Sequence, residues 1–223
     1  MTRRVAVLGS NSFSGSDFVD LLLDDPLNDV LGISRSAESS PAFLRHLRRR
    51  SPQYRFARFD LNADMPSILH ALDAFEPQYL VNFAAQSEVL PSWEHPDHWF
   101  ETNTVALAKL INHLQKRSYL KRYVHISSPE VYGSCEGTVL ETAPLNPSTP
   151  YAASKAAADL LLATYRRAYD MPIVWIRATN VYGEGQQLFK IIPRSVIYAK
   201  LGRTIELHGG GRAVKSYIHI RDV

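Results

Sequence analysis

Tyr151-Ala152-Ala153-Ser154-Lys155 sets a phenol and an ammonium four positions apart, the spacing that puts two side chains on one face of a helix. That pair suits proton transfer at an alcohol. A phenol ionises near pH ~10 and is a poor base at neutral pH. A neighbouring ammonium favours the phenolate, and moving the group down by about three units takes roughly 4 kcal/mol of differential stabilisation. Upstream, Tyr123-Val124-His125-Ile126-Ser127-Ser128 reads as a strand ending in small hydroxyl residues. Such an ending delivers Ser128 to a cleft, where its hydroxyl can hydrogen-bond the oxygen whose proton Tyr151 takes.

A second constellation opens the chain. Val5-Ala6-Val7-Leu8 runs into Gly9-Ser10-Asn11-Ser12-Phe13-Ser14-Gly15. Glycines let a backbone turn tightly and approach a pyrophosphate, and the following helix N-terminus supplies N–H groups and a positive dipole. By itself this pattern is equally a plain turn before a helix. Gly9, Asn11, Ser12, Phe13 and Gly15 are the candidates for such a phosphate loop.

Stepping along the chain, short apolar runs alternate with helical patterns. Strands are expected at Val5–Leu8, Val30–Ile33, Tyr54–Phe59, Tyr79–Phe83, Tyr123–Ile126 and Ile173–Ile176. Helices are expected around Asp17–Leu23, Phe43–Arg50, Ile68–Phe75, His98–Lys116 and Tyr151–Tyr169. This alternation implies an α/β fold, a doubly wound parallel sheet of the Rossmann kind covered on both faces. The fourth strand ends in Asn82-Phe83-Ala84-Ala85-Gln86-Ser87, whose small residues permit close approach of a ligand.

Composition is that of an ordinary globular chain: 223 residues, 45% hydrophobic and 21% charged. A single cysteine, Cys135, excludes an internal disulfide framework and fits a cytoplasmic setting. No apolar run approaches a membrane span. The apolar stretch after Met1-Thr2-Arg3-Arg4 is too short for a signal-peptide core. Net charge is only +3, and the cluster of Arg45, Arg48, Arg49 and Arg50 reads as a solvated helix face. Neither a nucleic-acid partner nor a metal site is expected.

With these residues in order, the chain resembles the extended short-chain dehydrogenases/reductases, the NAD(P)-dependent nucleotide-sugar epimerases and dehydratases. Within that group it looks most like the dTDP-glucose 4,6-dehydratases, then the GDP-mannose 4,6-dehydratases. The resemblance implies a Rossmann domain over residues 1–178 and the start of an interleaved substrate region over residues 179–223. It also implies a retained dinucleotide, a nucleotide-activated sugar as partner, and homodimers. Members of the group run on well past position 223, so a truncated chain is expected.

The same resemblance assigns further roles. Ser12 stands where the loop pattern G-x-x-G-x-x-G has its middle glycine. Ser34 and Arg35 follow the second strand, where NAD-binding members carry an acid; an arginine suits a 2′-phosphate, which favours NADP, and equally reads as a loop arginine. Asp60 and Leu61 match the adenine-contacting pair, although Asp60 also suits a turn. Ala84, Ala85, Gln86 and Asn103 join the cofactor set with Tyr151 and Lys155. Glu130 stands where dehydratases place a glutamate, and epimerases a neutral residue. UDP-glucuronate decarboxylases share it, and an exposed loop acid is the plain alternative. Pro129 replaces the aspartate expected as general acid, and proline has no proton to donate. Ser87, Ser128, Pro129, Asn180, Lys190 and Lys215 complete the substrate set. Lys215 keeps the charge of the usual arginine but loses its bidentate fork. Lys190 and Lys215 equally read as solvated lysines. A 4-epimerase or a decarboxylase on this scaffold, or a dinucleotide-binding protein without turnover, are the competing readings.

Overall fold

The computed structural model describes residues 2–49, 51–212 and 214–223. Six strands form one parallel sheet: β1 (Arg3–Leu8), β2 (Asn28–Ser34), β3 (Tyr54–Arg58), β4 (Tyr79–Asn82), β5 (Arg122–Ile126) and β6 (Ile173–Ile176). Their order is β3-β2-β1-β4-β5-β6, with Val5 in register with both Val30 and Tyr79. The order reverses between β1 and β4, so the crossovers leave a crevice above the carboxyl ends of those two strands, where ligands of this architecture bind.

Each face of the sheet is apolar for a reason visible in its helices. Helix α2 (Met65–Phe75) buries Ile68, Leu72 and Phe75, and α5 (Ala106–Leu114) buries Leu107, Leu110, Ile111 and Leu114. These positions recur at helical spacing, and they cover Ala6, Leu8, Leu31, Ile33 and Leu80. Fully burying one such leucine contributes about 1.5–3 kcal/mol. On the opposite face α1 (Phe13–Leu22) packs Val19 against Val5, Val7 and Val30. Beyond it, Val81, Val124, Ile126 and Ile176 line an apolar cavity of about 540 Å³.

Helix α6 (Pro150–Tyr169) has strong local reasons to start where it does. Thr149 caps it by accepting from the Ala152 N–H at 3.1 Å, and Pro150 occupies the first turn. Asp170, in left-handed conformation at φ 50°, ends it. Short helices α3 (Pro91–Glu94) and α4 (Pro96–Phe100) lead through a π-helical turn at Glu101–Val105 into α5. The expected unbroken helix His98–Lys116 is therefore interrupted. Strands β7 (Asn180–Tyr182) and β8 (Tyr217–His219) pair parallel as a separate two-stranded sheet, with α7 (Ile191–Lys200) between them.

The expected helix Phe43–Arg50 is replaced by one 3-10 turn at Arg45–Arg48, and Arg50 lies outside the described residues. Extended backbone at Leu44 (φ −105°, ψ 96°) and Arg49 (φ −112°, ψ 114°) bounds the turn on both sides, and its arginines reach acids on other elements. Arg45, with a side chain only 14% exposed, pairs with Asp17 at 3.2 Å, Asp20 at 3.4 Å and Glu184 at 3.5 Å. Arg48 pairs with Glu184 at 2.6 Å, and Arg49 with Asp20 and Asp24. The cluster is a clasp between α1 and the segment after β7, not a solvated helix face. Among the described residues no helix is long and apolar enough to cross a membrane.

Candidate active site

A cleft of about 270 Å³ opens above the reversal point between β1 and β4. Gly9, Asn11 and Ser12 line it after β1; Ser34 and Arg35 after β2. Asp60 and Leu61 line it beyond β3, and Ala84, Ala85 and Gln86 beyond β4. Gly9 sits at φ +78°, and a Cβ there would lie 2.6 Å from the Ala84 nitrogen. Only glycine fits both demands. Ser12 is the N-cap of α1: its hydroxyl accepts from the Gly15 N–H at 3.0 Å, at φ −73°. No left-handed backbone is required there, which explains why serine can stand in the middle position of the loop.

The remaining cofactor candidates act from outside the cleft wall. A Cβ on Gly15 would stand 2.2 Å from the Gly9 oxygen, so Gly15 serves the tight packing of helix on loop. The Phe13 ring lies toward Gly183. Asn103, on the π-helical turn, is buried and its amide is fully committed. It accepts from the Gln86 N–H at 2.9 Å and donates to Gln86 O at 3.0 Å and to Ser154 Oγ at 2.9 Å. Asn103 thus fixes the Gln86 loop against α6. Asp60 makes the turn as well as the wall, accepting from Asn62 N at 2.7 Å.

The residues present fit a dinucleotide. The backbone at Gly9 is bare, the α1 N-terminus stands behind the loop, and the small side chains of Ala84 and Ala85 line the facing wall.

Tyr151, in the first turn of α6, and Ser128, just past β5, are neighbours, and neither they nor Lys155 are among the residues that line the cleft. Burial raises the Tyr151 phenol above its ordinary 10.0, the Ser128 hydroxyl opposes that rise, and the carboxylates of Glu130 and Glu88 add to it. Glu130 opens a 3-10 turn at Pro129–Tyr132, and its N–H donates to Ser128 Oγ at 3.2 Å. Lys155 differs from the expectation of an ammonium beside the phenol. Its Nζ donates to Ile126 O at 2.7 Å and lies 3.4 Å from His125 Nε2. Burial pushes it down to about 8, with Asp159 opposing. Burial first, and the two carboxylates after it, thus hold the phenol up, and Lys155 is not among the groups that oppose the rise.

The substrate candidates are dispersed. Ser87 is exposed on the loop after β4. Lys190 pairs with Glu88 at 2.8 Å, Asn180 donates to Ser216 O at 2.9 Å, and Lys215 is exposed. Sequence reasoning missed His125, Asp159 and Arg177, which the fold gathers behind Lys155. The spacing Tyr151, Lys155, Asp159 was the available signal, one residue per helical turn on a single face.

A family model described as NAD dependent epimerase/dehydratase family matches residues 5–223. The trifunctional UDP-glucose 4,6-dehydratase/UDP-4-keto-6-deoxy-D-glucose 3,5-epimerase/UDP-4-keto-L-rhamnose-reductase RHM1 of Arabidopsis thaliana is 31% identical over 78% of this chain and 27% of its own length. A solved dTDP-glucose 4,6-dehydratase, DesIV of Streptomyces venezuelae with NAD and TYD bound, superposes with TM-score 0.85 at 31% identity, covering 98% of this chain and 69% of that one. The UDP-N-acetylglucosamine 4-epimerase of Methanobrevibacter ruminantium, in complex with UDP-N-acetylmuramic acid, does so with TM-score 0.85 at 26% identity over 99% and 70%. The chain thus spans about a quarter of the plant relative and about two thirds of these solved structures.

Proposed function

This chain belongs to the NAD dependent epimerase/dehydratase family, and on that premise we propose that it is the dinucleotide-binding part of a nucleotide-sugar 4,6-dehydratase. The observation that carries the reading is Glu130. Its backbone N–H donates to Ser128 Oγ, and its exposed carboxylate is near enough to add to the rise of the Tyr151 phenol, so a base would stand beside Tyr151 and Ser128. An epimerase has no use for a second base there.

Gly9, Asn11, Ser12, Ser34, Asp60 and Ala84 would hold the dinucleotide. When bound, it supplies the acceptor, and later the donor, of a hydride. Tyr151 Oη takes the proton of the sugar 4-hydroxyl while Ser128 Oγ holds that oxygen. The resulting 4-keto group acidifies the C5 proton, which the Glu130 carboxylate removes as the C6 hydroxyl departs as water. Pro129 has no proton for that leaving group, so a solvent molecule must bring one. Holding the sugar at C4 and C5 at once contributes more than any one side chain. Hydride addition at C6 and return of the proton from Glu130 to C5 would complete the product, a 4-keto-6-deoxy sugar nucleotide.

Arg35 supports NADP over NAD. It lines the cleft with Ser36, and the Arg58 Nε donates to its carbonyl at 3.1 Å. Glu38, the next acid along the chain, is occupied by Tyr54 at 2.9 Å and His46 at 3.0 Å. The exposed Trp93 and Leu160 are apolar surface that an interface between two copies would cover.

The test is mass spectrometry of products from dTDP-glucose, GDP-mannose and UDP-sugars. Loss of one water from the sugar supports the dehydratase, a product of unchanged mass a 4-epimerase, and loss of carbon dioxide a decarboxylase. Glu130→Gln is expected to keep C4 oxidation measurable and stop water loss. Elimination by Glu130→Gln at the wild-type rate would rule the dehydratase out.

A further inference from the structure

Three elements converge on one buried carboxylate behind the catalytic pair. Asp159, 3% exposed, is one helical turn beyond Lys155 on α6. Its Oδ2 accepts from Ser127 Oγ at 2.9 Å, at the end of β5. The same oxygen accepts from Arg177 Nε at 2.9 Å, just past β6. Arg177 is held in turn by the Tyr132 hydroxyl at 2.5 Å, with its guanidinium over the Tyr132 ring. Oδ1 of Asp159 is buried with no hydrogen-bond partner, 3.9 Å from His125 Nε2.

We propose that Asp159 is a positioning residue for the catalytic pair: its carboxylate keeps the buried Lys155 side chain an ammonium and braces the ends of β5 and β6 against α6. This rests on the reading of Tyr151 and Lys155 as that pair.

The charges around Lys155 make the assignment. From β5 it meets His125, stacked on Tyr123; on its own helix it has Tyr151 and Asp159; beyond β6 stands Arg177. His125 is held well below its ordinary 6.5 by burial and by the charges of Lys155 and Arg177, so it is neutral. Its Nε2 therefore accepts from Lys155, and the proton sits on the unpartnered Nδ1. Ile126 O and His125 offer dipoles only. Asp159 supplies the one negative charge that favours the ammonium, against burial that removes it. Burial raises the Asp159 carboxyl above its ordinary 3.8, and Ser127, Arg177 and Lys155 oppose that rise. An uncharged residue at 159 would leave the buried Lys155 and the Arg177 guanidinium without that counter-charge.

The experiment is heteronuclear NMR of protein with labelled lysine and aspartate side chains, following Lys155 with pH. Asp159→Asn is expected to lower the Lys155 midpoint by about one pH unit or more, roughly tenfold in the ammonium-to-amine ratio, and Asp159→Glu to restore it. A residue that served only packing would not move this midpoint. An unchanged midpoint in folded Asp159→Asn overturns the proposal. Where Asp159→Asn does not fold, wild-type protein decides. The Asp159 carboxyl carbon must report an ionised group throughout the range in which Lys155 titrates, and a protonated Asp159 at neutral pH overturns the proposal. Turnover does not enter these readouts, so failure of the dehydratase reading shows separately, in the product masses.

Discussion

Gly15 lies against the carbonyl of Gly9, with 2.2 Å between that oxygen and the place where a Cβ would stand. The contact is backbone to backbone and cannot be relieved by a rotamer change. Gly15→Ala must push α1 off the loop and tilt the N–H groups that face the cleft. Dinucleotide affinity, read by calorimetry, is expected to fall at least about tenfold. Ser12→Gly keeps the loop path and loses only a cap, so it is expected to cost no more than about 1 kcal/mol of stability.

Tyr151→Phe removes the proton acceptor and little else. Turnover is expected to fall about 10²–10⁴-fold while dinucleotide binding stays within a few-fold. Ser128→Ala acts through the same group. The serine hydroxyl opposes the rise of the Tyr151 phenol, so its loss raises the phenol further. The rising limb of the pH profile of kcat/KM should move to higher pH, and a limb that stays in place would remove Ser128 from the site.

Lys155 carries a stability cost, because burial lowers its ammonium below the ordinary value. Its ammonium is at about 8 in the folded protein against an ordinary 10.5, so between these values the unfolded chain binds more protons. Stability from this group therefore rises with pH across that window, and the cost is greatest below pH about 8. Lys155→Met is expected to raise the thermal midpoint at pH 7 and abolish turnover. The difference in midpoint between the two proteins should narrow as pH rises through that window.

Asp73 works in the opposite sense. It accepts from Arg117 at 2.7 and 2.8 Å, from His113 at 3.0 Å and from the Tyr119 hydroxyl at 2.9 Å, tying α2 to α5 and the chain beyond it. These donors, Arg117 first, hold its carboxyl well below the ordinary 3.8. A depressed carboxyl stabilises the fold above its unfolded value and loses that contribution as pH falls through the folded one. The side chain is 35% exposed, so screening limits the gain. Asp73→Ala is expected to cost about 1–2 kcal/mol at pH 7. Denaturant titration should show a smaller gap at pH 3.

Cofactor choice has its own test. Arg35→Ser is expected to weaken NADP at least about tenfold and leave NAD within a few-fold, since a guanidinium next to a phosphate is a charge-assisted contact. Equal losses for both dinucleotides would show that Arg35 does not read the 2′-position.

Much of this protein was legible in its residues because local physics carried it. Apolar runs of four to six residues alternating with helical spacing led to six parallel strands, and all six formed. The step of four from Tyr151 to Lys155 and the glycines at 9 and 15 needed no tertiary information, since helix periodicity and backbone sterics act within a few residues. Arg45 to Arg49 were misread because acids far along the chain, from Asp17 to Glu184, decide where those side chains go. Asp159 escaped for a similar reason: a buried carboxylate is identified by its partners, and Ser127 and Arg177 arrive on other elements. The sequence alone determined which groups α6 carries and how far apart they stand. The tertiary structure decided their ionisation, because burial and the charges brought in by β5 and β6 exist only once the sheet has closed over them.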